Sequence, residues 1–167
     1  MAESNLGSDK YRMTVNPNFA QHNRNQSNPK DRKRNPRRDK VFPAVTEYKV
    51  LKTVMHMSLV EVKPVTGFKH QIRAHLGLGL GCPVLGDHKY TSVKRMDLPQ
   101  RLSGETLHRL GIRQSKVRDL PIYLHSKHVQ IPDIVPEKNV WIDAPLPHFF
   151  NKALKKLKLI PDKFVKI

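Results

Sequence analysis

Cysteine is almost missing from this chain: Cys82 is the single one in 167 residues. No disulfide can close within it, which fits a reducing compartment or any compartment where no staple is needed. Acidic residues are scarce as well, with 14 Asp and Glu against 31 Lys and Arg, for a formal net charge of +17. No apolar run approaches the roughly 18 residues needed to cross a bilayer. Residues Met1 to Lys10 include Glu3 and Asp9 and hold no apolar centre. They read as neither a signal peptide nor a transit peptide, so the chain is cytosolic or nuclear, or its natural N-terminus is missing. The nine histidines include no HExxH pair, and His70 and His75 lie five apart, off a common helix face. His125 and His128, three apart in an expected strand, point to opposite sides. Metal binding is therefore not expected. Gly77, Gly79 and Gly81 lack the Lys-Ser or Lys-Thr of a P-loop, and no Ser/His/Asp set stands out.

What is present is positive charge, with a pI near 10.3. Such a balance points to a polyanionic partner, nucleic acid first and an anionic membrane second, bound with strong salt dependence. The plainer alternative is a solvated basic surface, at the cost of self-repulsion. Apolar residues make up only 38%, so part of the chain is expected to lie outside any core. That part is residues 1–40, a polar, basic, flexible segment. Its stretch from His22 to Lys40 crowds Arg32, Lys33, Arg34, Arg37 and Arg38 with Lys30 and Lys40, without apolar periodicity. It suits an RNA-contacting arm, a nuclear localisation run or a plain solvated loop. Tyr11, Met13 and Val15 alternate weakly as a strand would.

From Val41 the pattern changes. Val45–Val54 and Met57–Val65 are rich in β-branched and aromatic residues and predict an antiparallel hairpin turning near His56. Thr66-Gly67 ends it, with Thr66 as cap of a helix over Lys69–Leu80 whose buried stripe is Ile72, Leu76 and Leu80. Gly67 is read as permitting a tight strand-to-helix turn. Pro83–Leu85 suggests a short strand, broken by a turn at Gly86-Asp87. Residues 91–120 read as a partly helical excursion around Leu107 and Leu110. Tyr123–Ile131 and the Val140–Ile142 region resume strand patterns. Phe150, Ala153, Leu154 and Leu157 fall at i, i+3, i+4 and i+7, an amphipathic helix whose other faces carry Lys152, Lys155, Lys156 and Lys158. Such a helix can lie on a membrane, but docking onto a core suits this stripe better.

One block carries more than composition: Thr66-Gly67-Phe68-Lys69-His70-Gln71-Ile72-Arg73-Ala74-His75-Leu76, then Cys82-Pro83-Val84-Leu85-Gly86-Asp87, and Tyr90. It resembles the second conserved block of RluA-type RNA pseudouridine synthases. The Phe68-Lys69 pair, the Asp87-His88-Lys89-Tyr90 form, Leu124-His125 and the Lys-rich last helix resemble the mitochondrial branch, over about residues 10–160. The resemblance implies an α+β fold, with a mixed, mostly antiparallel sheet flanked by helices. It makes residues 41–160 the C-terminal half of the catalytic domain and 161–167 a tail. It also implies conversion of uridine to pseudouridine in rRNA, tRNA or mRNA without a cofactor, and a place in the mitochondrial matrix. In that family an aspartate attacks the flipped uridine, a tyrosine packs on the base, and a basic residue pairs with the aspartate. Arg73 takes the last role by position; a buried carboxylate stays ionised beside a fixed positive charge, and Arg cannot lose its proton. Gly67, His70 and Gln71 would support the site, His70 and Gln71 either bonding its loop or merely capping the helix. Lys69, Lys155, Lys156 and the basic run would hold RNA. Asp87 reads as a structural turn residue, and Tyr90 as core packing ahead of base stacking.

The family's nucleophile follows Arg-Leu, and none of the upstream aspartates Asp9, Asp31 and Asp39 does. The expectation is therefore a chain that lacks the nucleophilic segment, inactive and poorly folded alone, with Arg73 a charge deprived of its partner. The alternative is an RNA-binding or RNA-assembly factor that works without catalysis.

Overall fold

Alternating β-branched residues and turn punctuation build the chain from hairpins. The structure, a computed structural model, describes residues 2–5, 11–14, 42–92, 98–135 and 138–160. The basic run holding Arg32, Lys33, Arg34, Arg37 and Arg38, and residue Val15, lie outside them. Strands β1 (Ala2–Asn5) and β2 (Tyr11–Thr14) pair antiparallel. β3 (Thr46–Val54) and β4 (Met57–Pro64) form the expected hairpin, closed by Met55-His56 with Met55 at φ 53°. A register shift between Val50 and Lys52 bulges β3 at Leu51, which adds local twist. β5 (His128–Val135) and β6 (Lys138–Asp143) make a third antiparallel pair. With the helices around them, the class is α+β, and among the described residues the strands come as three antiparallel pairs.

The helix after β4 departs from expectation. Regular α-helix covers only Gln71–Ala74 (α1) and relaxes into a π-helical turn over His75–Gly79. The buried side is Gln71, Ala74 and Gly77, while Leu80 is half exposed. Gly77 explains the shift: a Cβ there would stand 2.4 Å from the Tyr90 carbonyl oxygen. The backbone of Tyr90 thus packs on the face carrying Gly77, and the stripe of Ile72, Leu76 and Leu80 does not form.

The main core is built by α2 (Gly104–Leu110) and α3 (His148–Leu157). Ser103 caps α2 by accepting from the Thr106 N–H, and Gly111 ends it in the left-handed region at φ 72°, a favoured cap pair. Leu110 meets Ala153, Leu154, Leu157, Leu159 and Leu85, with Val54, Met57 and Leu59 from the β3–β4 hairpin packed on them. The α3 stripe is the one its spacing predicts. Residues 91–120 are not an excursion: Leu102, Leu110, Ile112 and Leu120 belong to this core. Pro83–Leu85 forms no strand either. Val84 and Leu85 spend their carbonyls on Gln100 Nε2 and Tyr123 N–H. Tyr123 is thereby held in a loop, and β5 begins only at His128, leaving His125 outside the strand expected to carry both histidines.

Candidate functional site

Arg73 lies at the centre of a small polar cluster on α1. Its Nε and Nη2 donate to Oδ2 and Oδ1 of Asp87 at 2.7 and 2.8 Å. Asp87 is fully buried, and the Arg73 side chain is 17% exposed. The same carboxylate accepts the backbone N–H groups of Lys89 and Tyr90, so it closes its own turn while it fixes the guanidinium. The guanidinium also sits 5.0 Å over the Tyr90 ring, a cation–π contact. The hydrogen bonds to Asp87 raise the Arg73 pKa beyond its ordinary value, against the opposing effect of burial. Three further N–H groups of Arg73 remain for another acceptor.

The expectation of Arg73 as an unpartnered charge is thus corrected: Asp87 is its partner. Asp87 is more than a turn former, and its signal was in the sequence. Between Glu61 and Asp97 it is the sole acidic residue, so any ion pair made inside the motif had to use it. Tyr90 is fully buried, as core packing requires. Its hydroxyl meets His70 Nδ1 at 3.0 Å, and the two rings cross edge to face. His70 holds a left-handed conformation at φ 55° and stands before α1 without a side-chain capping bond. Burial lowers its pKa first, and Arg73, Lys89 and Lys69 lower it further against a small opposing pull from Asp87. The ring is therefore neutral at pH 7 in the midst of three cations.

Gln71 bonds the entry loop. Its Oε1 accepts from Phe68 N–H and Thr66 Oγ1, and its Nε2 donates to Val45 carbonyl and Thr46 Oγ1. Thr66 is consequently no helix cap; it ties Gln71 to the N–H of Val45. His75 Nδ1 meets Thr46 Oγ1 at 2.8 Å. Thr46 and Thr66 were not foreseen in this role, and nothing in their spacing announces it. Gly67 is not required by the turn, since a Cβ there would meet nothing within 4 Å and its φ is not positive. The positive φ falls on His70 instead.

Of the expected RNA-holding lysines, Lys69 is exposed beside this cluster and Lys155 is exposed on α3. Lys156 is committed elsewhere. Its Nζ donates to the Leu110 carbonyl at 2.6 Å, capping α2, while Arg109 Nη1 donates to the Leu157 carbonyl and caps α3. Among the described residues no group of three or more His, Cys, Asp or Glu could hold a metal ion, and no helix is long and apolar enough to cross a membrane.

The pattern of RNA pseudouridylate synthases matches residues 3–77. The chain is 46% identical over 117 residues to "Pseudouridylate synthase RPUSD4, mitochondrial" of Rattus norvegicus, covering 70% of this chain and 31% of that protein. It is 32% identical over 130 residues to "Mitochondrial mRNA pseudouridine synthase RPUSD3" of Bos taurus, covering 69% of this chain and 38% of that protein. The solved structure of "Human RNA Pseudouridylate Synthase Domain Containing 4" superposes with a TM-score of 0.65 at 44% identity, over 71% of this chain and 44% of that one. The chain thus spans about a third of the length of the first curated relatives it matches.

Proposed function

We propose that this chain, a relative of the RluA-type RNA pseudouridine synthases that resembles their mitochondrial branch, supplies the guanidinium side of a uridine-isomerising site in RNA. One observation carries the reading: Arg73 is gripped by Asp87 through two of its N–H groups, leaving three for a second carboxylate. In this family's chemistry that carboxylate is the nucleophilic aspartate. A fixed cation beside it keeps it ionised and therefore nucleophilic. Gly67, His70 and Gln71 belong to the site in this reading. His70 and Gln71 act by holding Tyr90 and the entry loop, and Gly67 by its place in the motif alone. Lys69, Lys155 and the basic run from Arg32 to Arg38 attract the phosphates, with residues 1–40 as an arm, 41–160 as the domain and 161–167 as a tail. The mitochondrial names of the relatives support a mitochondrial location, and the matrix is its proposed compartment. The class of RNA stays open among rRNA, tRNA and mRNA, and no cofactor is called for.

A second reading, an RNA-binding factor without catalysis, draws on the same ion pair. Asp87 already balances the Arg73 charge, so the chain can hold this arginine without a nucleophile. Tritium release from RNA labelled at uridine C5 separates the two once a segment carrying the nucleophilic aspartate is supplied with the chain, since isomerisation exchanges that position. The synthase reading expects release from the complemented chain that falls at least about 100-fold in Arg73→Lys, which keeps the charge beside Asp87, with RNA affinity within about threefold of the unsubstituted chain. RNA binding with no release from the complemented chain favours the second.

A further inference from the structure

Tyr90 is held at three points. Its N–H donates to Asp87 Oδ1 at 3.2 Å. Its backbone lies so close on Gly77 that a Cβ there would stand 2.4 Å from the Tyr90 carbonyl oxygen. Its hydroxyl meets His70 Nδ1 at 3.0 Å. The side chain is fully buried, so no base can stack on it, and the Arg73 guanidinium lies over its ring at 5.0 Å. Core packing alone would be met by a phenylalanine, which brings no hydroxyl to satisfy.

His70 bears a cost of its own. It holds the left-handed region at φ 55° without a side-chain capping bond to α1, a conformation seldom adopted by a residue with a Cβ. Strain of this kind gathers where surrounding contacts fix a functional group. What His70 gains there is the Tyr90 hydroxyl and an edge-to-face contact between the two rings.

A guanidinium is planar, so fixing one edge and one face fixes its orientation. Asp87 takes an edge of Arg73, through Nε and Nη2. Tyr90 takes a face. Both belong to one turn, residues 87–90, and His70 ties that turn back to the start of α1. We propose that Tyr90 is a positioning residue for Arg73: its ring sets the plane of the guanidinium, and His70, through the hydroxyl, sets the ring. This rests on the synthase reading and gives Tyr90 a part in it beyond packing. The N–H groups that Asp87 leaves over then keep one direction, and an approaching carboxylate finds them already oriented.

Two variants break the tether and keep the packing. Tyr90→Phe retains the ring and removes the hydroxyl. His70→Asn removes the other end of the bond and tolerates the positive φ. In the 167-residue chain by itself, exchange of the Arg73 Nε–H with solvent, followed by NMR, is expected to quicken about tenfold in each variant. With the nucleophile-bearing segment supplied, tritium release per folded chain is expected to lose about tenfold in kcat with KM unchanged. The double variant is expected to lose no more than either single one, because both substitutions break the same bond. Urea unfolding supplies the folded fraction, so a loss of stability alone does not imitate this result. Unaltered Nε–H exchange in Tyr90→Phe would overturn the positioning role. So would an unaltered kcat, a rise in KM alone, or losses that multiply in the double variant. Absence of release from the unsubstituted, complemented chain would overturn the synthase reading and the role together.

Discussion

Asp87 grips Arg73 by two parallel hydrogen bonds while accepting two backbone N–H groups from its own turn. The carboxylate is fully enclosed. Removing one member of such a pair strands the other charge, so Asp87→Ala should cost about 3–5 kcal/mol. Replacing both, as Arg73→Met with Asp87→Leu, should recover most of that loss, because an apolar pair leaves no buried charge behind. Urea unfolding midpoints of the single and double variants measure it.

Three glycines in the motif region should respond differently to alanine. Gly86 has φ 81°, and a Cβ there would fall 2.0 Å from the Pro121 carbonyl oxygen. Gly86→Ala should therefore destabilise by more than about 3 kcal/mol. Gly77→Ala drives a methyl against the Tyr90 backbone and should be similarly costly. Gly67→Ala meets open space and should be neutral, or stabilising by about 0.4–1 kcal/mol through the unfolded chain. Thermal unfolding of the three variants ranks them.

Acidification should weaken the fold. His70 and His75 both have pKa values lowered below the ordinary 6.5, each chiefly by burial. The unfolded chain therefore takes up protons first as pH falls through about 6.5, and stability declines with it. The loss is complete only below the folded-state values, where both forms are protonated. Stability measured from pH 7.5 down to 5 should fall, and His70→Gln should flatten the profile.

The two adjacent lysines of α3 should separate. Lys156 caps the Leu110 carbonyl, so Lys156→Met should lower stability by about 1 kcal/mol and change RNA affinity little. Lys155 is exposed. Lys155→Met should leave stability alone and reduce the salt slope of RNA binding by about one. Denaturant curves and anisotropy titrations at several salt concentrations check both.

The parts legible in the sequence were those written by short periods. The hairpin of Thr46–Val54 and Met57–Pro64 and the stripe from Phe150 to Leu157 follow from spacing alone. So did the motif around Arg73, whose residues arrive in fixed order. The failures share a cause, which is contact with distant chain. Tyr90 presses on Gly77 and redirects the face of α1; Gln100 and Tyr123 take the carbonyls that a strand at Val84 and Leu85 would have needed. Lys156 looked like any surface lysine until α2 supplied a bare carbonyl.

The exchanged caps of α2 and α3 bear on the order of assembly. Lys156 and Leu110 are 46 residues apart, and Arg109 and Leu157 are 48 apart. Each helix closes its last turn locally, through Gly111 and Lys158 in the left-handed region, and the exchanged side chains cover one further carbonyl on each. Those two bonds form only after a loop of that length has closed, and closure entropy is spent before the reward arrives. The hairpin of β3 and β4, closed by two residues, has no such loop to close. The pairing of α2 with α3, Leu110 and Leu157 included, carries the longer closure cost.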